Sequence, residues 1–205
     1  EEVQRARAGY YAMVTLLDAQ VGHMVAALER KGLLDNTLVV FVGDQGSAMG
    51  DHGLFGKGAL LKSSINSPLV MSCPARFRTD VVVDRPVEMQ DLAPTFLELA
   101  GASPRDRGHC YGLSLLPLLT GEGSYTREAA FAEKLDTKMV ATSRYKYIYN
   151  PGDERQMLFD LQHDPDETHN LAGVHGYEEV ETEMKDRLLS WLSDTYAHAN
   201  SFRRG

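Results

Sequence analysis

"TLVVFVGDQGSAMGDHGLFGKGALL", residues 37–61, decides how the chain is read. Thr37 to Val42 is a short, unbroken, β-branched apolar run, the pattern of a strand covered on both faces, as in a parallel sheet packed between helices. The polar loop that follows holds Asp44, Gln45, His52 and Lys57 among several glycines. In open α/β sheets ligands sit just outside the carboxyl ends of the strands, where loops carry chemistry on a rigid frame. Asp44 and Gln45 fall at that place. A carboxylate beside an amide oxygen gives two adjacent hard ligands, suited to Ca²⁺ or Mg²⁺ rather than to a soft metal. Gly43 and Gly46 are read as letting the backbone turn so that both side chains face one point. Lys57, between Gly56 and Gly58, presents a lightly shielded point charge that suits a sulfate or phosphate oxyanion. Taken singly, "DQG" is a turn and a glycine-flanked lysine is a solvated one; set together after a buried strand, they favour a site.

Working outward, Tyr11, Val14, Leu17, Val21, Met24, Val25 and Leu28 recur at three- and four-residue steps from about Glu2 to Lys31. That spacing predicts a helix with one buried face, stopped at Gly32. Asp35-Asn36 makes a turn, and Pro68 to Ser72 reads as a second strand. Asp91 stands as the cap of a helix over "LAPTFLELAG", ended by Gly101. "GLSLLPLLTGE" reads as a short turn or helix.

Beyond residue 125 the texture changes. Ala129 to Glu133, Lys138 to Thr142, Tyr145 to Tyr149 and Met157 to Leu161 are short segments separated by turn residues such as "NPGDE", an antiparallel meander. Val180, Met184, Leu188, Leu189 and Trp191 mark a closing amphipathic helix. The expected organisation is an α/β part over 1–124 and a small antiparallel sheet with a terminal helix over 125–205.

The chain has 205 residues, 43% of them apolar, and a formal net charge of −8. It is long enough for a substantial core, and its negative charge argues against a nucleic-acid partner. Cys73 and Cys110 are too few for a disulfide framework, although one bridge between them stays open. No stretch reads as membrane-spanning. The opening "EEVQRARAGYYAMV" reads as the middle of something, so the chain is expected to be a piece of a longer protein.

The blocks "YYAMVTLLDAQVGHMVAALERKGLLDNTLVVFVGDQG", "GDHGLFGKG", "SPLVMSCPARF", "QDLAPTFLELAGA", "GLSLLPLLTG" and "YKYIYN…MLFDLQHDPDETHNLAG" follow, in order, the C-terminal half of the type I sulfatases of the alkaline phosphatase superfamily. The chain resembles that family from about Tyr10 to Ala172. The resemblance implies the C-terminal part of an alkaline phosphatase-like α/β/α sandwich, followed by the small sheet and helix. It implies that Asp44 binds the divalent metal, usually Ca²⁺, with Mg²⁺ or Mn²⁺ as alternatives. Gln45 stands where the family mostly has Asn or His, an oxygen donor on a longer arm. Lys57 matches the lysine that contacts sulfate and steadies the leaving oxygen. His52, in "GDHG", lines the substrate pocket or holds the loop together. Asp18 and Asp91 match recurrent aspartates assigned to structure.

In such enzymes a Cys or Ser in a C/S-x-P-x-R motif is oxidised to formylglycine, whose hydrated aldehyde attacks sulfur. "SCPARF" lacks the intervening residue between Cys73 and Pro74, so Cys73 is read as an ordinary thiol. The resemblance therefore places the formylglycine and the paired metal aspartates upstream of Glu1, in a missing N-terminal part, and the chain alone is expected to be inactive. The implied substrate is a sulfate-ester small molecule or sulfated carbohydrate. "RDRGHC", residues 105–110, has charge suited to an anionic sugar, with a solvated loop as the plainer reading. A phosphonate monoester or phosphodiester hydrolase of the same superfamily, or a non-catalytic module, are the alternatives.

Overall fold

A computed structural model describes residues 1–102, 111–152 and 156–202, with side chains to residue 196. "RDRGHC", Cys110 and any bridge to it, and part of "NPGDE" lie outside the described residues. In chain order the elements are α1 (Glu2–Arg30), β1 (Val39–Val42), β2 (Ala48–Met49), β3 (Phe55–Gly56), α2 (Lys62–Ile65), β4 (Leu69–Ser72), α3 (Leu92–Leu99), α4 (Leu116–Thr120), β5 (Ala130–Lys134), β6 (Thr137–Ala141), β7 (Tyr145–Tyr149), β8 (Met157–Asp160) and α5 (Glu178–Phe202). They fall into two compact units, Glu1–Val82 with Leu115–Ser124, and Val83–Ser114 with Tyr125–Gly205. The segment Val83–Ser114, grouped by sequence with the earlier part, thus belongs with the later one.

In the first unit, α1 ends at Lys31, and Gly32 takes the left-handed backbone that its position at the helix end requires (φ 64°). The expected buried face is only half formed. Val21, Val25 and Leu28 are partly covered, but Tyr11, Met13, Leu16, Leu17 and Met24 are each more than half exposed. Periodicity fixes which face is apolar, whereas covering it takes a second layer, which the first half of α1 does not find among the described residues. By length and composition α1, 29 residues long and apolar, could also cross a membrane. The expectation that no stretch reaches spanning length is corrected to that extent; a soluble core helix passes the same test.

β1 pairs antiparallel with β4, Val39 opposite Ser72 and Val42 opposite Leu69, and no third strand joins them among the described residues. The reading of β1 as a parallel strand covered on both faces is therefore corrected. Phe41 and Val42 are exposed, and Val70 of β4 is 61% exposed. A short apolar run does not encode the direction of its partner, and two strands without a covering layer leave a face open.

In the second unit the meander is observed as expected, in the order β5-β6-β7-β8 with every pairing antiparallel. Its register places Phe131, Val140, Tyr147 and Leu158 in one row across the sheet. Val180, Met184, Leu188, Trp191 and Leu192 of α5 pack on that row, a stripe at helical spacing. The Trp191 indole stacks on the Phe131 ring with centroids 4.9 Å apart. Leu189, expected on the buried face, is 63% exposed, because one residue past Leu188 turns about 100° around the helix.

Asp91 is fully buried. It does not cap α3 through its side chain, as sequence suggested. Its carboxylate instead accepts the backbone N–H of Glu88 at 2.9 Å and of Leu113 at 2.8 Å, and it pairs with the Arg127 guanidinium. Glu88 receives Arg127 Nη1 at 2.8 Å and the Phe131 N–H at 2.7 Å, which ties the segment before α3 to β5. Burial, and then the Asp91 charge, push the Tyr125 hydroxyl up to about 12, so it stays a neutral phenol whose single proton is shared between Pro86 O at 3.0 Å and Asp91 Oδ2 at 3.2 Å.

Candidate functional site

The predicted site residues all lie in the first unit, on the stretch between β1 and α2. Where β1 ends, the Gly43 N–H donates to Pro68 O at 3.0 Å. Two residues past Asp44, the Gly46 N–H donates to Ser64 O at 2.8 Å. A Cβ on Gly46 would stand 2.2 Å from Ser63 O, so glycine is needed there for close approach, and not for the free turn that sequence suggested. Asp44 and Gln45 are thus held between two fixed points, one just before β4 and one on α2.

The structure brings Asp44 and Gln45 together. Asp44 Oδ1 accepts the Gln45 N–H at 2.8 Å, and Gln45 Nε2 approaches Oδ2 at 3.4 Å. Both residues are exposed. The pair fits a hard cation in donor chemistry, once the amide turns its oxygen toward the ion. It supplies two positions where Ca²⁺ takes six to eight. Among the described residues no group of three or more His, Cys, Asp or Glu could hold a metal.

Beyond Gln45 the chain forms the β2–β3 hairpin, Ala48 opposite Gly56 and Met49 opposite Phe55. Lys57 follows directly on β3, past Gly56, whose left-handed backbone (φ 79°) ends the strand. The Lys57 side chain is exposed. His52 lies at the other end of the hairpin, in a tip built from left-handed residues Gly50 (φ 94°), His52 (φ 53°) and Gly53 (φ 71°). The tie at this tip comes from its neighbour: Asp51 Oδ1 accepts Arg7 Nη2 at 2.9 Å, and Arg7 Nε donates to Met49 O at 2.7 Å. Both partners are about half exposed, so the pair contributes at most about 1 kcal/mol. Its value is in orienting α1 against the hairpin. The 44-residue separation gives no signal in sequence.

Cys73 is buried, with Sγ 3.9 Å from Asp35 O, an ordinary core thiol as expected. Asp18 is exposed on α1. Sequence reasoning also missed Lys146, on β7 in the second unit, which pairs with Glu167 at 2.8 Å while both side chains are 2% exposed.

Comparison with known proteins gives the family. The sequence model of the family described as N-sulphoglucosamine sulphohydrolase, C-terminal, matches residues 50–194. An arylsulfatase of Clostridium perfringens is 31% identical over 99% of this chain and 44% of its own length. Among solved structures, a phosphonate monoester hydrolase of Agrobacterium radiobacter superposes with a TM-score of 0.80 at 30% identity, covering 92% of this chain and 41% of that one. A protein in complex with its substrate D-glucosamine-2-N,6-O-disulfate superposes with a TM-score of 0.77 at 27% identity, over 90% of this chain and 40% of that one. The chain thus spans less than half the length of these proteins. It belongs to the sulfatase family of the alkaline phosphatase superfamily, and corresponds to that family's C-terminal part.

Proposed function

We propose that this chain is the C-terminal part of a sulfate-ester hydrolase and carries one side of its active site. Asp44 and Gln45 would hold a divalent cation, Ca²⁺ before Mg²⁺ or Mn²⁺, which supplies positive charge to the oxygens of the bound ester. Lys57 faces the same oxyanion, orients it and offsets charge on the leaving oxygen. His52, at the far tip of the hairpin, contacts the remainder of the substrate. The nucleophile, a formylglycine, and the remaining metal ligands lie in sequence upstream of Glu1, so the 205-residue chain alone does not turn over. The apolar front of α1 and the open face of β1 and β4 are covered by that upstream part and not by lipid.

The observation that carries this reading is the double clamp on residues 43–46, which holds an adjacent carboxylate and amide just past the end of β1, on the loop that leads through the β2–β3 hairpin to Lys57. The relative bound to a sulfated glucosamine supports a sulfated carbohydrate as the substrate class. Paired assays on the intact protein with an aryl sulfate and an aryl phosphonate monoester test it. Sulfate release is expected, and Lys57→Ala lowers kcat about 10²–10³-fold. The phosphonate monoester hydrolase likeness favours a second reading, in which the phosphonate ester is the better substrate. Absence of turnover on either would mark a non-catalytic module.

A further inference from the structure

Ser63 and Ser64, on α2, have hydroxyl oxygens that are fully enclosed and have no hydrogen-bond partner among the described residues. Ser64 as a whole is 6% exposed. Several threonine hydroxyls in this protein meet the carbonyl four residues back: Thr15 bonds Tyr11 O, Thr95 bonds Asp91 O, Thr120 bonds Leu116 O and Thr182 bonds Glu178 O. Ser63 and Ser64 make no such bond. α2 is a single turn, so the carbonyls four residues before them, on Ala59 and Leu60, precede the helix. A buried hydroxyl left unmet is destabilising, and an alanine would fit the same space without that cost. The backbone of these two serines is also what holds the cation-ligand loop: Ser64 O accepts Gly46 N–H at 2.8 Å, and Ser63 O closes on Gly46 where a Cβ would stand 2.2 Å away.

We propose that Ser63 and Ser64 are positioning residues for the Asp44–Gln45 pair, their hydroxyls held to donate hydrogen bonds into the oxygen shell of the cation that this pair binds. The proposal rests on the reading of Asp44 and Gln45 as cation ligands. Outer-shell donors fix ligand orientation, and their loss weakens metal binding roughly 10–100-fold. Two effects of opposite sign follow for one change: without cation the alanine protein is as stable as the parent or more so, whereas with cation it binds more weakly.

The test uses the intact protein, stripped with a chelator, and its Ser63→Ala/Ser64→Ala and Asp44→Asn variants. Ca²⁺ affinity is read by titration calorimetry and the melting temperature is read in chelator. The expected result is a Ca²⁺ Kd raised about tenfold or more in the double variant, with the chelator-state melting temperature unchanged or raised. A Kd equal to the parent's, while Asp44→Asn loses binding, overturns the proposal and leaves the cation reading standing. A weakened Kd with a melting temperature lowered by several degrees also overturns it, since the hydroxyls then serve packing. If the parent binds no Ca²⁺, or Asp44→Asn binds as well, the cation reading falls and this proposal with it. Should the double variant not fold, the single Ser63→Ala and Ser64→Ala proteins carry the same comparison.

Discussion

Replacing Glu167 by Gln leaves the Lys146 ammonium buried without its carboxylate. Lys146 and Glu167 are each 2% exposed and 2.8 Å apart, so water cannot take over the lost charge. Removing one member of such a pair costs about 3–5 kcal/mol. For a chain of this size that corresponds to a melting temperature lower by on the order of 10 °C. The loss also depends on pH. Burial pushes the Lys146 ammonium below its ordinary value, with the Glu167 carboxylate pulling the other way. A lysine whose folded-state pKa lies below the unfolded one makes stability rise with pH between the two, because the unfolded chain there binds the extra proton. Without Glu167 that folded value falls further and the rising window widens downward. The deficit of Glu167→Gln relative to the parent is therefore largest near neutrality and shrinks as pH climbs toward the ordinary lysine value, where Lys146 is neutral in both folded proteins. Scanning calorimetry of the intact protein at pH 7 and pH 10 measures this. The double change Lys146→Met/Glu167→Leu, which removes both charges, should recover most of the loss. Both residues at 167 share the same left-handed backbone, so its cost cancels in the comparison. A deficit below about 1 kcal/mol, or one identical at the two pH values, would refute the reasoning.

Three further outcomes are expected. Asp91→Asn leaves Arg127, 10% exposed, without one of its two carboxylates and should cost about 3 kcal/mol in denaturant unfolding; a loss under 1 kcal/mol contradicts the network. Leu188→Ala removes a core side chain and should cost about 2–5 kcal/mol, whereas Leu189→Ala next to it should stay within about 0.5 kcal/mol; equal losses would mean that α5 docks by another face. Gly46→Ala drives a methyl into Ser63 O and should weaken Ca²⁺ binding about tenfold, an effect checked by titration and absent if the loop can move aside freely.

Sequence reading succeeded where the information is local. The limits of β7 at Tyr145 and Tyr149, the helix stop at Gly32 and the meander order all follow from periodicity and turn residues within a short window. It failed where a partner distant in sequence decides. The direction of β1 depends on β4, and the role of Asp91 depends on Arg127, 36 residues away. The exposure of α1 depends on what else is present to cover it. For the candidate site, residue types and their order along the loop were legible. The clamp by Ser63 and Ser64 was not, since a serine pair carries no pattern until the backbone contact with Gly46 is seen.

Trp191 is the chain's single tryptophan, and it lies flat against Phe131 where α5 meets β5. Its emission is therefore a built-in optical gauge of one event, the lifting of the terminal helix from the sheet. In this chain fluorescence therefore follows the second unit, to which both rings belong. Docking of that helix can be followed through denaturation without a label being introduced.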